Sequence, residues 1–352
     1  RQSCNRNSEM IPFIKIKEKT ALAIIIRRYR VIVFATLLIF STFFFQLHTI
    51  SNTFALDEPH GTLNYWQGDV RNILLNYIDS VTTPGSKDFI PIKDRVAVFD
   101  MDGTLMSEKP FPFVFEATVH YLVRHKEELS LKGPEYKALC EAAEKLDVVY
   151  LKKHMNRTFV LPFKGKTYEF YRDWCLKLFE TEINPLKKRP QKDLIFKPMI
   201  ELIDLLHKHG FQVYVVSGSM QFAIMAISEK YLHVDESRCI GSMVQAKVKM
   251  DGERIEFMRG DLQPPPNVNS GKAIRIMMRT GQAPVLAFGN SSGDTWMLQF
   301  TSSSPYRHMV FIIDHDDPRE FVYHHPALLK TAKEKQWVII SMKKNFKTVY
   351  GE

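Results

Sequence analysis

The sequence predicts an α/β fold in which a parallel sheet carries helices on both faces. Short apolar segments alternate with segments of helical periodicity, and these segments are "VAVFD", "QVYVVSGS", "APVLAFGN" and "HMVFIID". Strands that are apolar throughout are typical of parallel sheets, which are covered on both faces. The stretch between the first two strands is helical and too long for a simple crossover, so it predicts a separate, mainly helical cap.

The remaining elements follow in order along the chain. "NYWQGDVRNILLNYIDSV" predicts a helix that stops before the Pro-Gly turn of "TTPGSKD". "FVFEATVHYLVRH", "EYKALCEAAEKL" and "YEFYRDWCLKLFETEI" predict cap helices, because apolar residues recur every three or four positions. After the cap, "PMIELIDLLHKHG" predicts a helix closed by Gly210, and "MQFAIMAISEKYL" and "SGKAIRIMMRT" predict two more. Asp251-Gly252 is a hairpin turn signal within an alternating stretch.

These elements predict three parts. Residues 1–55 form a signal peptide or membrane anchor, residues 56–110 and 199–352 form the core, and residues 111–198 form the cap. The cysteines beyond the leader are Cys140, Cys175 and Cys239, and three cannot all pair within one molecule. A Cys140–Cys175 bridge is one interpretation, and buried free thiols are the favoured one.

The N-terminal segment carries most of the positive charge. The chain has a formal net charge of +9, and residues 1–55 contribute +6 of it. No basic stripe with interleaved aromatic residues follows, so no nucleic-acid partner is expected. After "RRYR" the chain has about fifteen apolar residues, "VIVFATLLIFSTFFF", and then a polar stretch with Ala55 at a cleavage position.

This N-terminal pattern is typical of an export signal. The apolar run is shorter than the about twenty residues that a spanning helix needs, which favours cleavage. It could also extend to Ile50 and remain as an anchor with its basic side in the cytoplasm. Both interpretations predict a periplasmic or inner-membrane-anchored protein whose remaining domain lies outside the cytoplasm. Membrane contact is then expected only through the N-terminal segment.

Polar residues follow the predicted strands at their carboxyl ends. Asp100 and Asp102 follow the first strand, Ser217-Gly218-Ser219 ends the second, and residues 290–294 follow the third. Lys272 begins the helix before the third strand. In open α/β sheets ligands bind at this edge. Two carboxylates, a small hydroxyl, a cation and an oxygen-rich loop suit a phosphate monoester and a hard divalent ion.

In this order, "DMDGTL", "VVSGS", Lys272 and "FGNSSGDTWML" resemble the four signature motifs of the haloacid dehalogenase (HAD) superfamily. The chain is most similar to the phosphatase branch with a helical cap between the first two motifs. Its hairpin region resembles phosphoserine and phosphocholine phosphatases, and its leader resembles that of exported bacterial members. The resemblance covers nearly everything from Trp66 onward and implies a Rossmannoid parallel sheet.

The resemblance also implies roles for these residues. Asp100 would be the nucleophile that forms an aspartyl-phosphate. Asp102 would protonate the leaving alkoxide, then activate water, and bind Mg²⁺ through its backbone carbonyl. Ser217 and the Gly218 amide would bind the phosphoryl group, and Lys272 would offset its charge.

The resemblance implies that Asn290 and Asp294 complete the Mg²⁺ site with Asp100 and Asp102. The family commonly has Asp at the position of Asn290, so the site has one negative charge fewer here. Whether Asn290 or Asp294 ligates the metal directly stays open.

The leading hypothesis is a Mg²⁺-dependent phosphomonoester hydrolase acting on a small phosphate ester outside the cytoplasm. A phosphotransferase or mutase on the same scaffold and a membrane-anchored phosphate-binding non-enzyme are the alternatives. A dehalogenase is disfavoured because it has no use for Asp102. A substrate-selecting role for Glu108 is the less favoured interpretation, because its spacing does not match the phosphoserine enzyme. His315-Asp316-Asp317 is interpreted as a solvated turn.

Overall fold

The structure is a computed structural model that describes residues 62–351. The predicted leader at residues 1–55 lies outside this range, so its interpretation as a signal or anchor stays a prediction. Within the described residues, no helix is both long enough and apolar enough to cross a membrane.

A seven-stranded sheet organises residues 62–351, with strand order β4-β3-β2-β1-β5-β6-β7. Its neighbouring strands are parallel except β3 and β4, which form an antiparallel hairpin. The hairpin turns immediately after Asp251, as the sequence predicts. The strands are β1 (Val96–Phe99), β2 (Gln212–Met220), β3 (Cys239–Asp251), β4 (Arg254–Gln263), β5 (Leu286–Gly289), β6 (Met309–Asp314) and β7 (Val338–Ser341).

Helices precede, interrupt and follow the strands. α1 lies before β1, α2 to α8 lie between β1 and β2, and the others alternate with the later strands. Their bounds are α1 (Gly68–Thr82), α2 (Phe113–Arg124), α3 (Lys126–Ser130), α4 (Pro134–Glu144), α5 (Val148–Lys153), α6 (Met155–Val160), α7 (Tyr168–Thr181), α8 (Lys197–Lys208), α9 (Gln221–Leu232), α10 (Ser270–Thr280), α11 (Thr295–Thr301), α12 (Pro326–Glu334) and α13 (Met342–Asn345).

Helices cover both faces of the sheet, as predicted. Successive side chains of a strand point to opposite faces, and β1 contributes Ala97 and Phe99 to one apolar core but Val96 and Val98 to another. The first core contains buried residues of α1, α8, α9 and the helices after β1. The second contains buried residues of α10, α11 and α12. The α/β prediction is therefore confirmed.

The helices after β1 pack against the β3–β4 hairpin. Arg259 on β4 is buried, and its guanidinium carbon lies 3.7 Å from the ring centroid of Tyr171 on α7. The backbone of Arg259 also exchanges hydrogen bonds with Gly165 and Lys166, each 2.9 Å long. Two aromatic residues of α7, Tyr168 and Tyr171, thus contact a cation of the chain itself. The predicted boundaries of core and cap stay a prediction.

The structure contains one strand that the sequence does not predict. This strand, β7, is only four residues long, and three of its residues are half-buried. The favoured interpretation of the cysteines is confirmed, because Cys140, Cys175 and Cys239 are free and buried and the alternative Cys140–Cys175 bridge is not formed.

Candidate active site

The sheet order brings the polar strand ends together. β1 lies between β2 and β5, and Phe99 pairs with Val215 on one side and with Phe288 on the other. The carboxyl ends of these strands therefore lie at one level. Residues from three motifs therefore meet at one edge of the sheet: Asp100 directly follows β1, Ser217 lies near the end of β2, and Asn290 directly follows β5.

Lys272 bridges two buried carboxylates at this edge. Its Nζ lies 2.5 Å from Asp100 Oδ1 and 2.6 Å from Asp294 Oδ1. Burial alone would lower the pKa of Lys272, but the Asp100 and Asp294 carboxylates outweigh it and raise that pKa. Burial and the Asp294 charge raise the pKa of Asp100, against the opposing effect of Lys272. A protonated lysine is thus held beside two carboxyl groups away from water.

The loop before α10 places Lys272 in this position. The Asn267 side chain donates to the backbone oxygens of Ser217 and Ile240, at 2.8 Å each, and so ties the loop to the ends of β2 and β3. A Cβ atom on Gly271 would lie 2.0 Å from the Pro266 carbonyl oxygen, so only glycine fits there. Lys272 is the third residue of the helix that begins at this loop.

Asp102 contacts the two serines near the end of β2. Its Oδ2 accepts hydrogen bonds from Ser217 Oγ at 3.2 Å and from Ser219 Oγ at 3.0 Å. Its Oδ1 is buried and has no hydrogen-bond partner among the described residues. Burial, and then the charge of Glu108, raise the pKa of Asp102 to about 6. A carboxyl group that keeps its proton nearer neutral pH is suited to act as a general acid.

The Asp294 carboxylate organises the loop after β5. Its Oδ1 accepts from Lys272, and its Oδ2 accepts from the backbone nitrogens of Asn290 at 3.1 Å and Ser291 at 3.0 Å. It caps this turn and makes no side-chain capping bond to α11. Both Asp294 oxygens are thus engaged by Lys272 and by the loop backbone, and whether Asn290 or Asp294 would ligate a metal directly stays a prediction.

The chain segment after β6 completes the site. The interpretation of His315-Asp316-Asp317 as a solvated turn was wrong, because His315 is buried in the site. The side chain of His315 is 1% exposed and donates through Nε2 to the Gly103 carbonyl at 2.9 Å. Its Nδ1 lies 3.3 Å from Glu320 Oε2, and its ring stacks on Tyr323. His315 directly follows a strand of the same sheet, so the rule that located the other residues could have found it.

Ser219 and Glu108 also belong to this site. Ser219 was noted at the end of β2, but only the structure shows its bond to Asp102. Glu108 lies within hydrogen-bonding distance of Asn290. Gly218 lies between the two serines, and its carbonyl accepts from Ser242 at 2.8 Å.

The oxygen atoms at this edge fit a hard divalent cation. Within residues 62–351, no group of three or more His, Cys, Asp or Glu side chains is arranged to hold a metal ion. A metal here would therefore need a mixed set of oxygens, from the Asp100 carboxylate, the Asp102 backbone carbonyl and the Asn290 amide. Such a set suits Mg²⁺, which takes few protein ligands and keeps several waters.

A mainly parallel sheet with an aspartate and hydroxyl groups at its strand ends, and a buried lysine beside them, is a Rossmannoid arrangement. Residues 97–299, more than half of the chain, match the model of the haloacid dehalogenase-like hydrolase family. The chain belongs to this family. A search of curated proteins gives no match to the chain.

Several solved structures align with the chain at low sequence identity. A conserved functionally unknown protein from Anaerococcus prevotii aligns at 16% identity over 79% of this chain and 92% of its own, with a TM-score of 0.49. A HAD family hydrolase from Salmonella enterica serovar Typhi aligns at 13% identity over 72% and 68%, with a TM-score of 0.38. A probable phosphoserine phosphatase from Vibrio cholerae aligns at 13% identity over 78% and 69%, with a TM-score of 0.39.

Proposed function

We propose that this hydrolase cleaves small phosphate monoesters through an aspartyl-phosphate on Asp100. The observation that carries this proposal is the buried Lys272 ammonium, held within 2.6 Å of both Asp100 and Asp294. A fixed positive charge beside a buried carboxylate lies where the negative oxygens of a transferring phosphoryl group need stabilisation.

In the first step an Asp100 carboxylate oxygen attacks phosphorus. The new bond joins that oxygen to phosphorus, and the bond from phosphorus to the alcohol oxygen breaks. The Asp102 carboxyl donates its proton to the leaving alkoxide, so the alcohol departs neutral. The raised pKa of Asp102, about 6, supports this role because the group keeps its proton longer than an exposed aspartate.

In the second step water releases the phosphate. The Asp102 carboxylate takes a proton from the water, whose oxygen attacks phosphorus while the bond from phosphorus to Asp100 breaks. Inorganic phosphate leaves, and Asp102 is protonated for the next cycle.

The phosphoryl group would be bound by Ser217, the Gly218 amide and Lys272. The Ser217 hydroxyl, which donates to Asp102, would turn to a phosphoryl oxygen instead. Asp100, the Asp102 carbonyl and Asn290 would hold Mg²⁺, which when bound neutralises charge on the phosphoryl oxygens. Asp294 would position Lys272 and the loop rather than ligate the ion.

Metal removal tests this proposal. EDTA is expected to reduce hydrolysis of p-nitrophenyl phosphate by at least about a hundredfold, because the ion contributes several kcal/mol of charge stabilisation. Added Mg²⁺ should restore the rate, and EDTA saturated with Mg²⁺ serves as the control. Persistent activity in chelator would argue against the metal.

Release of one phosphate for each nitrophenol would exclude transfer to another acceptor.

We also propose that the enzyme acts outside the cytoplasm. The basic segment and apolar run within residues 1–55 support this location. In a bacterial host, these residues fused to a phosphatase reporter that is active only after export should produce a signal, and a fusion without them should not. Recovery of the full chain solely from the cytoplasmic fraction would contradict export.

A further inference from the structure

Asn290 and Glu108 are in direct contact at the active site. Asn290 Nδ2 lies 3.3 Å from Glu108 Oε1. A carboxylate only accepts hydrogen bonds, so the amide nitrogen faces Glu108. The amide oxygen then faces the other way, where Oδ1 lies 3.5 Å from Thr104 Oγ1. The same hydroxyl lies 3.3 Å from Asp100 Oδ2, so the Asn290 oxygen faces the side of the nucleophile.

Gly103 makes room for this contact. Its φ is +80°, and a Cβ atom there would lie 1.9 Å from Asn290 Nδ2 and 3.1 Å from the Glu108 carboxyl carbon. A side chain at position 103 would therefore fill the space in which the amide and the carboxylate meet. Gly103 thus has two roles: it allows the positive φ of the turn, and it leaves space for the contact between Asn290 and Glu108.

Glu108 also brings a negative charge to the pocket. Its side chain is 14% exposed, and it forms an ion pair with Lys109, whose Nζ lies 3.4 Å away on a side chain that is 36% exposed. Because the Lys109 side chain is the more exposed of the two, water weakens its attraction for Glu108, and Lys109 neutralises the Glu108 charge only in part. The pocket therefore retains a carboxylate next to Asn290, the position at which the family commonly has an aspartate.

We propose that Glu108 is a positioning residue for the metal site: it turns the Asn290 oxygen toward the ion and carries the charge that Asn290 lacks. This inference rests on the proposed function, since it assumes a Mg²⁺ site at Asp100 and Asn290. Without an acceptor for Nδ2, the amide could rotate and present its NH₂ group, which does not bind cations.

The test measures Mg²⁺ binding to the full-length chain by titration calorimetry, without substrate. Glu108→Gln removes the charge, and Glu108→Leu removes the charge and the acceptor. We expect about tenfold weaker binding for the first and up to about a hundredfold for the second, the range usual for groups that orient metal ligands. Asn290→Asp combined with Glu108→Gln should regain wild-type affinity, because the carboxylate moves to position 290. Glu334→Gln, at a side chain that is 62% exposed, is the matched control and should not change binding.

The outcomes separate this inference from the proposed function. Wild-type affinity in both Glu108 variants would overturn the inference and leave the metal site intact, whereas a wild-type chain that binds no Mg²⁺ would overturn both. A double variant that stays weak would refute the charge compensation. Unchanged Mg²⁺ affinity with a raised KM only for amine-bearing esters would make Glu108 a substrate contact instead. Thermal unfolding in chelator checks that each variant is folded.

Discussion

Asp100→Asn is expected to abolish turnover of phosphate esters, with a loss of about four orders of magnitude or more, which corresponds to about 5.5 kcal/mol. The substituted amide is nearly isosteric, but it is a poor nucleophile and cannot form the aspartyl-phosphate. Lys272 keeps its contact with Asp294 at 2.6 Å, so the variant retains a partner for the buried ammonium and is expected to fold.

Two measurements check this prediction. Steady-state hydrolysis of p-nitrophenyl phosphate reports the loss, and acid quenching followed by mass spectrometry should find a phosphoryl group on the Asp100 peptide of the wild type only. Asp261→Asn makes the same chemical change at a side chain that is 57% exposed, and it should keep full activity. Near-normal turnover by the Asp100 variant would rule out its assignment as nucleophile.

Asp102→Asn is expected to slow alkyl phosphates far more than aryl phosphates. A general acid contributes about 10²- to 10⁴-fold when the leaving group is a poor one, and an amide cannot supply the proton. A nitrophenolate leaves without that help, so the first step should largely survive with the aryl ester. The second step still needs a base, so the aspartyl-phosphate should accumulate after one turnover.

Single-turnover kinetics with an aryl and an alkyl ester measure this difference. The variant should show a burst of nitrophenol without sustained turnover, while alcohol release from the alkyl ester falls by about the full factor. Ser219→Ala is the control, because it removes one hydrogen bond to Asp102 Oδ2 but leaves the carboxyl group. The ratio of its rates on the aryl and alkyl esters should therefore equal the wild-type ratio. Equal single-turnover losses on both esters would refute the acid role.

Much of the site could be predicted because it follows from local patterns. Asp100 and Asp102 directly follow an apolar strand, and Ser217 ends another, so their common edge follows from the parallel sheet alone. Lys272 was assigned through the resemblance, and the structure brings it to Asp100 by way of the loop anchored through Asn267. Strand ends are sufficient to locate Asp100, Asp102 and Ser217, whereas the role of Lys272 depends on the resemblance.

The partners of individual polar atoms could not be predicted in this way. The sequence places His315 in a solvated turn because three polar residues follow a strand, yet the structure buries it against Gly103. The sequence leaves the role of Asp294 open because either Asn290 or Asp294 could ligate the metal directly. Its two oxygens are shared between Lys272 and the loop backbone only in the folded chain.

The amino-acid sequence alone determined the α/β class, the order of most strands and helices, and the edge of the sheet at which the acids and the lysine meet. These features depend on local periodicity and on apolar strands that end in polar residues. The tertiary structure alone decided that Asn290 turns its nitrogen to Glu108 and that His315 holds the Gly103 carbonyl. These contacts join residues 182 and 212 positions apart, and which donor meets which acceptor across such distances depends on how the whole sheet is packed.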